Sequence, residues 1–417
     1  MLLPPLEAQP GESFRRLFLR LPETDVSEGD ATAFDGKHFA ATLKRSHVEV
    51  ITLVVPDEGS VGGETSGGRT PGSPDGDLQS RLAAACRGQG LRVDEAIAAE
   101  QEAGAMLASF ASRPALEAAC YHRLCRGRPL VLEDWLCPKQ TFDAEAYRLL
   151  GIVFGDVAFK EPWCRGARPL VEIGIVSAPN PTASGVGAAR ILQAGGHAFD
   201  LLEVSADFTP YRVLILPEDI PCDSAFKARV QAYLQQGGSL LAAFETSHTA
   251  EQSGYRVPGE VIVIPNYGLV APGVGNVTLL GEPHFRSYAQ SAGTRHKRSV
   301  LEALNLLLPA PLLRHDGPGT LEAIVTEQPE YNRWVMHLMH YLPMGFALDS
   351  PVRDDILPVH EVKFSLKTPK PVVRIELRPQ HHDELDFWEY QGRVEFVVPK
   401  IIGHRMVSIE FAKESAE

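Results

Sequence analysis

Between Leu170 and Ser247 the apolar positions fall into runs that alternate with helical stretches. Leu170–Val176 is close to continuously apolar, and residues 182–193 after it carry a helical pattern. Ala198–Val204, Tyr211–Pro217 and 239–244 read as three further strands, and Asp223–Gln236 reads as a helix closed by Gly237 and Gly238. Apolar runs bounded by Gly and Pro, alternating with amphipathic helices, predict a parallel sheet covered on both faces. Strands starting near Val171, Phe199, Arg212 and Ser239 should share one sheet, with helices 184–194 and 223–236 packed on it.

The same reading carried through the chain gives two flanking regions. Before the central block, 15–21, 48–55, 91–97 and 129–136 read as strands. Helices are predicted over 35–46, 77–87, 98–110, 116–126 and 143–160, the last with Asp143 as N-cap. Residues 58–76 are rich in Gly, Ser, Thr and Pro and read as a loop. After the block, 260–265 is a short strand, 268–281 a Gly-rich loop and 296–308 a helix stopped by Pro309 and Pro311. From Gly319 the pattern changes to short strands at 321–327, 333–341, 360–366, 372–377, 393–398 and 406–411, with the spacing of an antiparallel sandwich.

Composition narrows the class. A formal charge of −13 over 417 residues argues against a nucleic-acid partner. No apolar stretch approaches the ~20 residues that span a bilayer, so no membrane partner is expected. The first residues lack the charged and apolar regions of a signal peptide. The six cysteines (Cys86, Cys120, Cys125, Cys137, Cys164 and Cys222) form no CxxC pair, which favours a reducing cytoplasm over a disulfide framework and gives no zinc spacing. No cofactor and no metal are expected.

Three groups of segments carry a family resemblance. They are DAEAYRLLG (143–151) with KEPWCRGARPLVEIGIV (160–176), FTPYRVLILP (208–217) with QQGGSLLA (235–242), and EQPEYNRWVMHLMHYLP (327–343) with VPKIIGHRMVSIE (398–410). In this order they resemble the C-terminal half of bacterial beta-galactosidase-like glycoside hydrolases, in particular the group catalogued as hypothetical glycosyl hydrolases. Residues 33–52 resemble the first helix and second strand of the barrel in those proteins. The resemblance implies a (β/α)8 barrel, a trimerisation domain of glutamine-amidotransferase-like fold and a small β domain. The expected fold is therefore α/β, in three parts: a truncated barrel-like region over 1–165, a flavodoxin-like amidotransferase-type parallel domain over 166–312, and an antiparallel β sandwich over 313–417. It also implies a carbohydrate ligand and a homo-oligomer, in this family a trimer.

The chain departs from the family where the chemistry would sit. A (β/α)8 barrel takes about 200–250 residues, and about 165 precede the central block. By order, the four N-terminal strands correspond to strands one, two, three and eight, so an open sheet is expected. The acid/base carboxylate of these enzymes sits in an Asn-Glu pair, and the chain has no Asn-Glu dipeptide. No catalytic residue carries over.

Carboxylates at strand ends are then the candidates for glycoside chemistry. Glu133 and Asp134 interrupt an apolar strand, and Trp135 beside them offers a sugar platform. Asp57, with Glu58 next to it, and the pair Asp94 and Glu95 are the other strand-end acids. Adjacent residues on a strand point to opposite faces, so Glu133 and Asp134 need a partner from elsewhere. Either one is as well explained by solvent exposure or a turn cap. The expected function is carbohydrate hydrolysis or binding, with weak or no turnover of aryl β-galactosides. A non-catalytic assembly or carbohydrate-binding protein is the alternative. A cysteine-dependent amidotransferase-like hydrolase would use Cys222, but its neighbours are Pro221 and Asp223 where a nucleophile elbow wants glycines. His337 and His340 lie three apart on a strand and face opposite ways, which fits core hydrogen bonding and not a shared metal. The polar turn His381, His382, Asp383, Glu384 and the glycine-rich stretches are read as loops.

Overall fold

The computed structural model describes residues 13–21, 35–55, 74–97, 105–110, 112–136, 143–178, 180, 182–220, 223–243, 262–264, 268–271, 277–343, 353–379 and 383–413. They fall into two compact units that meet in sequence between Ala167 and Arg168.

The N-terminal unit is built on one parallel sheet. Its strands are β1 (Arg16–Arg20), β2 (Val50–Val55), β3 (Arg92–Ile97), β4 (Ala105–Met106) and β5 (Leu132–Trp135), in the spatial order β3-β2-β1-β5-β4. The helices are α1 (Gly36–Arg45), α2 (Pro74–Gly88), α3 (Arg113–Leu124) and α4 (Ala144–Lys160). Asp35 caps α1 by accepting from the His38 amide, and Asp143 caps α4 by accepting from Glu145 and Ala146.

The three helical crossovers in this sheet, β1 to β2, β2 to β3 and β4 to β5, step the same way. Right-handed connections therefore put their helices on a single face. The side chains agree. Phe39 of α1 meets Tyr147 of α4 edge to face at 5.6 Å, and the Tyr147 hydroxyl reaches Asp134 on β5. Leu17, Leu19, Ile51 and Leu53, which share this face, are fully buried. Among the described residues the sheet is open, with β3 and β4 as its edges.

Residues 98–110, expected as a helix, divide otherwise. Ala105–Met106 is the edge strand β4 and Leu107–Ser109 a single 3-10 turn, while 98–104 lie outside the described residues. Helix propensity there is overridden by pairing of Ala105 and Met106 with Leu132 and Glu133.

The second unit opens with β6 (Arg168–Pro169) and then a doubly wound sheet. Its strands are β7 (Ile173–Ser177), β8 (Phe199–Glu203), β9 (Val213–Leu216), β10 (Ser239–Ala243), β11 (Ile262–Ile264), β12 (Gly268–Ala271) and β13 (Val277–Leu280). The order is β11-β12-β13-β10-β9-β7-β8, parallel from β13 to β8. Helix α5 (Ala183–Ala194) covers one face together with α7 (His284–Ser291) and α8 (Thr294–Leu307); α6 (Ser224–Gln235) covers the other. Alternate strand residues supply the two cores. Val213 and Ile215 pack with Ile191 and Leu304, while Leu214 and Leu216 pack with Phe226 and Val230.

The loop expected over 268–281 holds two strands, β12 and β13. Val277–Leu280 is fully or nearly fully buried and extends the parallel sheet beside β10. Its Gly-rich flank masked a run of only four strand residues.

The rest of the unit is antiparallel. Strands β14 (Leu313–His315), β17 (Val359–Lys367), β20 (Arg393–Ile401) and β19 (Phe387–Tyr390) make one sheet. The second sheet runs β18 (Val372–Arg378), β21 (Gly403–Phe411), β16 (Arg333–His340), β15 (Glu322–Gln328), β6. One hydrophobic cluster joins the two sheets, with Phe364 and Phe396 stacked at 5.8 Å within it and Met336, Ile375 and Ile409 from the facing sheet.

Candidate functional site

Because the helices of the N-terminal unit take one face, the other face of its sheet is free to carry polar side chains. Register places Arg16, Phe18 and Arg20 of β1 on it with Thr52 of β2, Asp94 of β3, and Glu133 and Trp135 of β5. The pairs formed there are ionic. Arg20 holds Glu133 by two hydrogen bonds, Nε to Oε2 at 2.6 Å and Nη2 to Oε1 at 3.0 Å. Arg16 pairs with Asp94 at 3.2 Å and donates to the Thr52 hydroxyl at 3.3 Å.

The carboxyl ends of β1 and β5 bring Arg20, Glu133 and Trp135 together. Trp135 is 45 % exposed, and the Arg20 guanidinium lies 5.9 Å from its ring centre. Glu133 is only 3 % exposed. Its hydrogen bond raises the Arg20 pKa above the ordinary value, against the opposing effect of burial. Both Glu133 oxygens are thus committed to a guanidinium, an arrangement that binds and orients and does not free a proton for transfer.

Asp134 points the other way. It accepts from the Tyr147 hydroxyl at 2.6 Å and from the Trp135 amide at 2.9 Å, on the helix-covered side. Burial pushes its carboxyl above the usual range, with both hydrogen bonds acting against that shift. Asp94 shares a face with Glu133, but the row Asp94, Thr52, Phe18, Glu133 spans three strand spacings. At ~4.8 Å each that is about 14 Å along the sheet. Paired glycosidase carboxylates stand about 5–9.5 Å apart. Asp57 and Glu58 lie outside the described residues; Glu95 on β3 pairs with Leu53 of β2, and its side chain lies outside them too.

Sequence reasoning singles out Glu133, Asp134 and Trp135 because they break an apolar run. It missed Arg20 and Tyr147, whose roles depend on pairing with residues 113 and 13 positions away. No spacing rule would have linked them.

A second polar cluster sits at the carboxyl ends of β7 and β9, where the doubly wound sheet changes direction and open α/β folds hold ligands. Asp219 accepts from the Ser184 hydroxyl at 2.7 Å and pairs with Arg286. Burial alone would raise the Asp219 pKa; these bonds outweigh it and leave it below the ordinary value. Glu218 accepts from the Phe285 and Arg286 amides, and burial raises its carboxyl. Cys222 lies outside the described residues; Asp223 beside it caps α6 through the Phe226 amide at 2.7 Å.

His337 stacks on His404 of β21 with ring centres 5.4 Å apart, and His340 bonds Thr320 and the Leu357 carbonyl. They face apart, as the strand period requires. His381 and His382 lie outside the described residues. No helix among the described residues is long and apolar enough to cross a membrane.

No protein-family model matches the chain, and no curated protein matches it. Solved structures do. Alpha-L-fucosidase isoenzyme 2 from Paenibacillus thiaminolyticus is similar over 96 % of this chain and 100 % of its own, at a TM-score of 0.71 and 17 % identity. A beta-galactosidase from Bacillus circulans sp. alkalophilus matches over 98 % of this chain and 71 % of its own, at 0.42 and 10 %. A rhamnosidase from Novosphingobium sp. PP1Y matches over 90 % and 36 %, at 0.45 and 12 %. The chain has a glycosidase-like fold. The first likeness carries that conclusion; TM-scores below 0.5 add nothing to it.

Proposed function

We propose that this chain is a carbohydrate-recognising protein of the glycosidase type, with its sugar site at the carboxyl ends of β1 and β5. The observation that carries the reading is the half-exposed Trp135 ring beside the Arg20–Glu133 pair. A flat aromatic face next to charged hydrogen-bonding groups suits a sugar, whose apolar face stacks while its hydroxyls bond. In this reading the singly wound sheet is an arc of a barrel wall. The chain divides at about 165 and 312 into barrel-like, amidotransferase-like and β-sandwich parts, of the beta-galactosidase type.

Binding is favoured over hydrolysis because Glu133 is held by Arg20, Asp134 lies on the opposite face, and Asp94 stands about 14 Å from Glu133 along the sheet. The test is titration of the full chain with L-fucose, D-galactose and L-rhamnose oligosaccharides, beside nitrophenyl glycosides of the same sugars. Saturable binding lost in Trp135→Ala, without turnover, is the expected result. Robust turnover abolished by Glu133→Gln would instead establish a hydrolase. Binding unaffected by Trp135→Ala would place the site elsewhere.

An assembly role is favoured by a separate observation. Trp388 and Tyr390 are 45 % and 62 % exposed on β19, an edge strand of its sheet. Unpaired edges with exposed aromatics are sites of chain association. A homo-oligomer, as the trimer the family resemblance implies, should weaken in Trp388→Lys, read by light scattering; an unchanged mass would remove this reading.

A further inference from the structure

At the end of β13 the chain turns through Glu282 and Pro283 into α7, whose first residue is His284. Helix α7 stops at Ala292, which has a left-handed backbone (φ 50°), and Gly293 opens α8. This tight reversal returns His296, in the first turn of α8, onto His284. The two Nδ1 atoms stand 3.0 Å apart, with ring centres 5.2 Å apart. One ligand atom from each of Glu282, His284 and His296 falls within 4.8 Å of the other two.

We propose that Glu282, His284 and His296 form a binding site for a zinc-class divalent cation. Two imidazole nitrogens and one carboxylate oxygen are the donor set of three-coordinate zinc sites that keep a fourth position for water. Metal–ligand bonds of about 2.0–2.2 Å in a tetrahedron put donor atoms about 3.3–3.6 Å apart. The His284 and His296 nitrogens need to part by only a few tenths of an ångström to reach that spacing. Without a cation, two facing Nδ1 atoms allow a single N–H···N bond, and only when one ring offers its lone pair and the other its proton. A cation accepts both lone pairs at once.

The surroundings support the assignment. His284 is 3 % exposed, so its ring is fixed by packing rather than by solvent. Arg295 donates to Glu282 at 2.7 Å, orienting the carboxylate as outer-shell groups commonly do. The Phe285 and Arg286 amides, next along α7, hold Glu218 at the mouth of the doubly wound sheet. A cation here would pin the start of α7 to α8 and so steady that cluster. Sequence reading expected no metal; the ligands are split between a strand end and two helices and match no short motif.

The test uses the full chain, stripped with chelator and then titrated with Co2+ and Zn2+. One Co2+ per chain should bind, giving visible d–d absorption that Zn2+ removes. Affinity for Zn2+ should fall at least tenfold in His296→Ala and in Glu282→Gln, and stay unchanged in the exposed His360→Ala. Zinc should also raise the melting temperature of the native chain and not that of His296→Ala. Far-UV circular dichroism of the metal-free variants checks that both fold; if His296→Ala does not, Glu282→Gln decides. Absence of zinc binding, or equal affinity in the folded variants, would overturn the site.

Discussion

Arg20 and Glu133 give the sharpest test of how the N-terminal unit is held together. Arg20→Met takes the bidentate guanidinium away from a carboxylate whose side chain is 4 % exposed, where the guanidinium itself is 21 % exposed. Removing one partner of a buried pair costs ~3–5 kcal/mol. Water reaches the arginine side of this pair, which places the loss near the lower end, at about 3 kcal/mol. Glu133→Gln is the milder change. It leaves the more exposed partner, which can turn to solvent, and a hydrogen bond to a charged group is worth about 1.5–3 kcal/mol. For a unit of this size 1 kcal/mol moves the melting temperature by about 2–4 °C, so Arg20→Met should lower it by roughly 6–12 °C.

The assay is thermal unfolding of wild type, both single variants and Arg20→Met/Glu133→Leu. Replacing both charges by apolar side chains removes the buried carboxylate that has lost its guanidinium, so the double variant should recover at least half of the Arg20→Met loss. The reasoning fails if Glu133→Gln is the more damaging single change, or if the double variant is less stable than Arg20→Met.

Three further outcomes are expected. A Cβ added at Gly187 would lie 1.9 Å from the Phe285 carbonyl oxygen, so Gly187→Ala should destabilise α5 against α7 at the top of the ~1–3 kcal/mol overpacking range, read by chemical denaturation. Phe364→Ala empties a fully buried site in the C-terminal core and should cost about 3–5 kcal/mol in the same measurement. The Asp134 carboxyl is raised by burial, so the folded chain holds that proton more tightly than the unfolded one. Its stabilisation is complete below the unfolded pKa and is lost as pH rises through the native one. Asp134→Asn should flatten that part of a melting-temperature profile and match or exceed wild type at neutral pH; a steeper profile would contradict the assignment.

The doubly wound sheet was legible because both of its faces are buried. Strands such as Val213–Leu216 then have to be apolar throughout, and Gly or Pro punctuates them. The same reasoning failed at Ala105–Met106, where two residues cannot establish a period, and at Val277–Leu280, where glycines on the preceding side disguised the strand. Site residues divide the same way. Glu133 showed itself by interrupting an apolar run, but its partner Arg20 comes from a strand 113 residues earlier. His337 could be placed on a face from the strand period; that it stacks on His404 follows only from the pairing of β16 with β21.

The two parallel sheets also differ in where they keep their charges, and winding direction explains it. In the doubly wound sheet, crossovers change direction between β7 and β9, helices cover both faces, and the charged cluster of Glu218, Asp219 and Arg286 gathers at the strand ends. In the N-terminal sheet the three helical crossovers run one way, so the helices take a single face. The other face can then hold Arg16, Arg20, Thr52, Asp94 and Glu133 inside strands, Arg16 matched by Asp94 across β2 and Arg20 by Glu133 on neighbouring β5. A sheet wound in one direction, with helices on one face, is the geometry of a barrel wall, whose sites lie at the carboxyl ends of the strands. That geometry, rather than any single residue, is why we propose a ligand site at the carboxyl ends of β1 and β5.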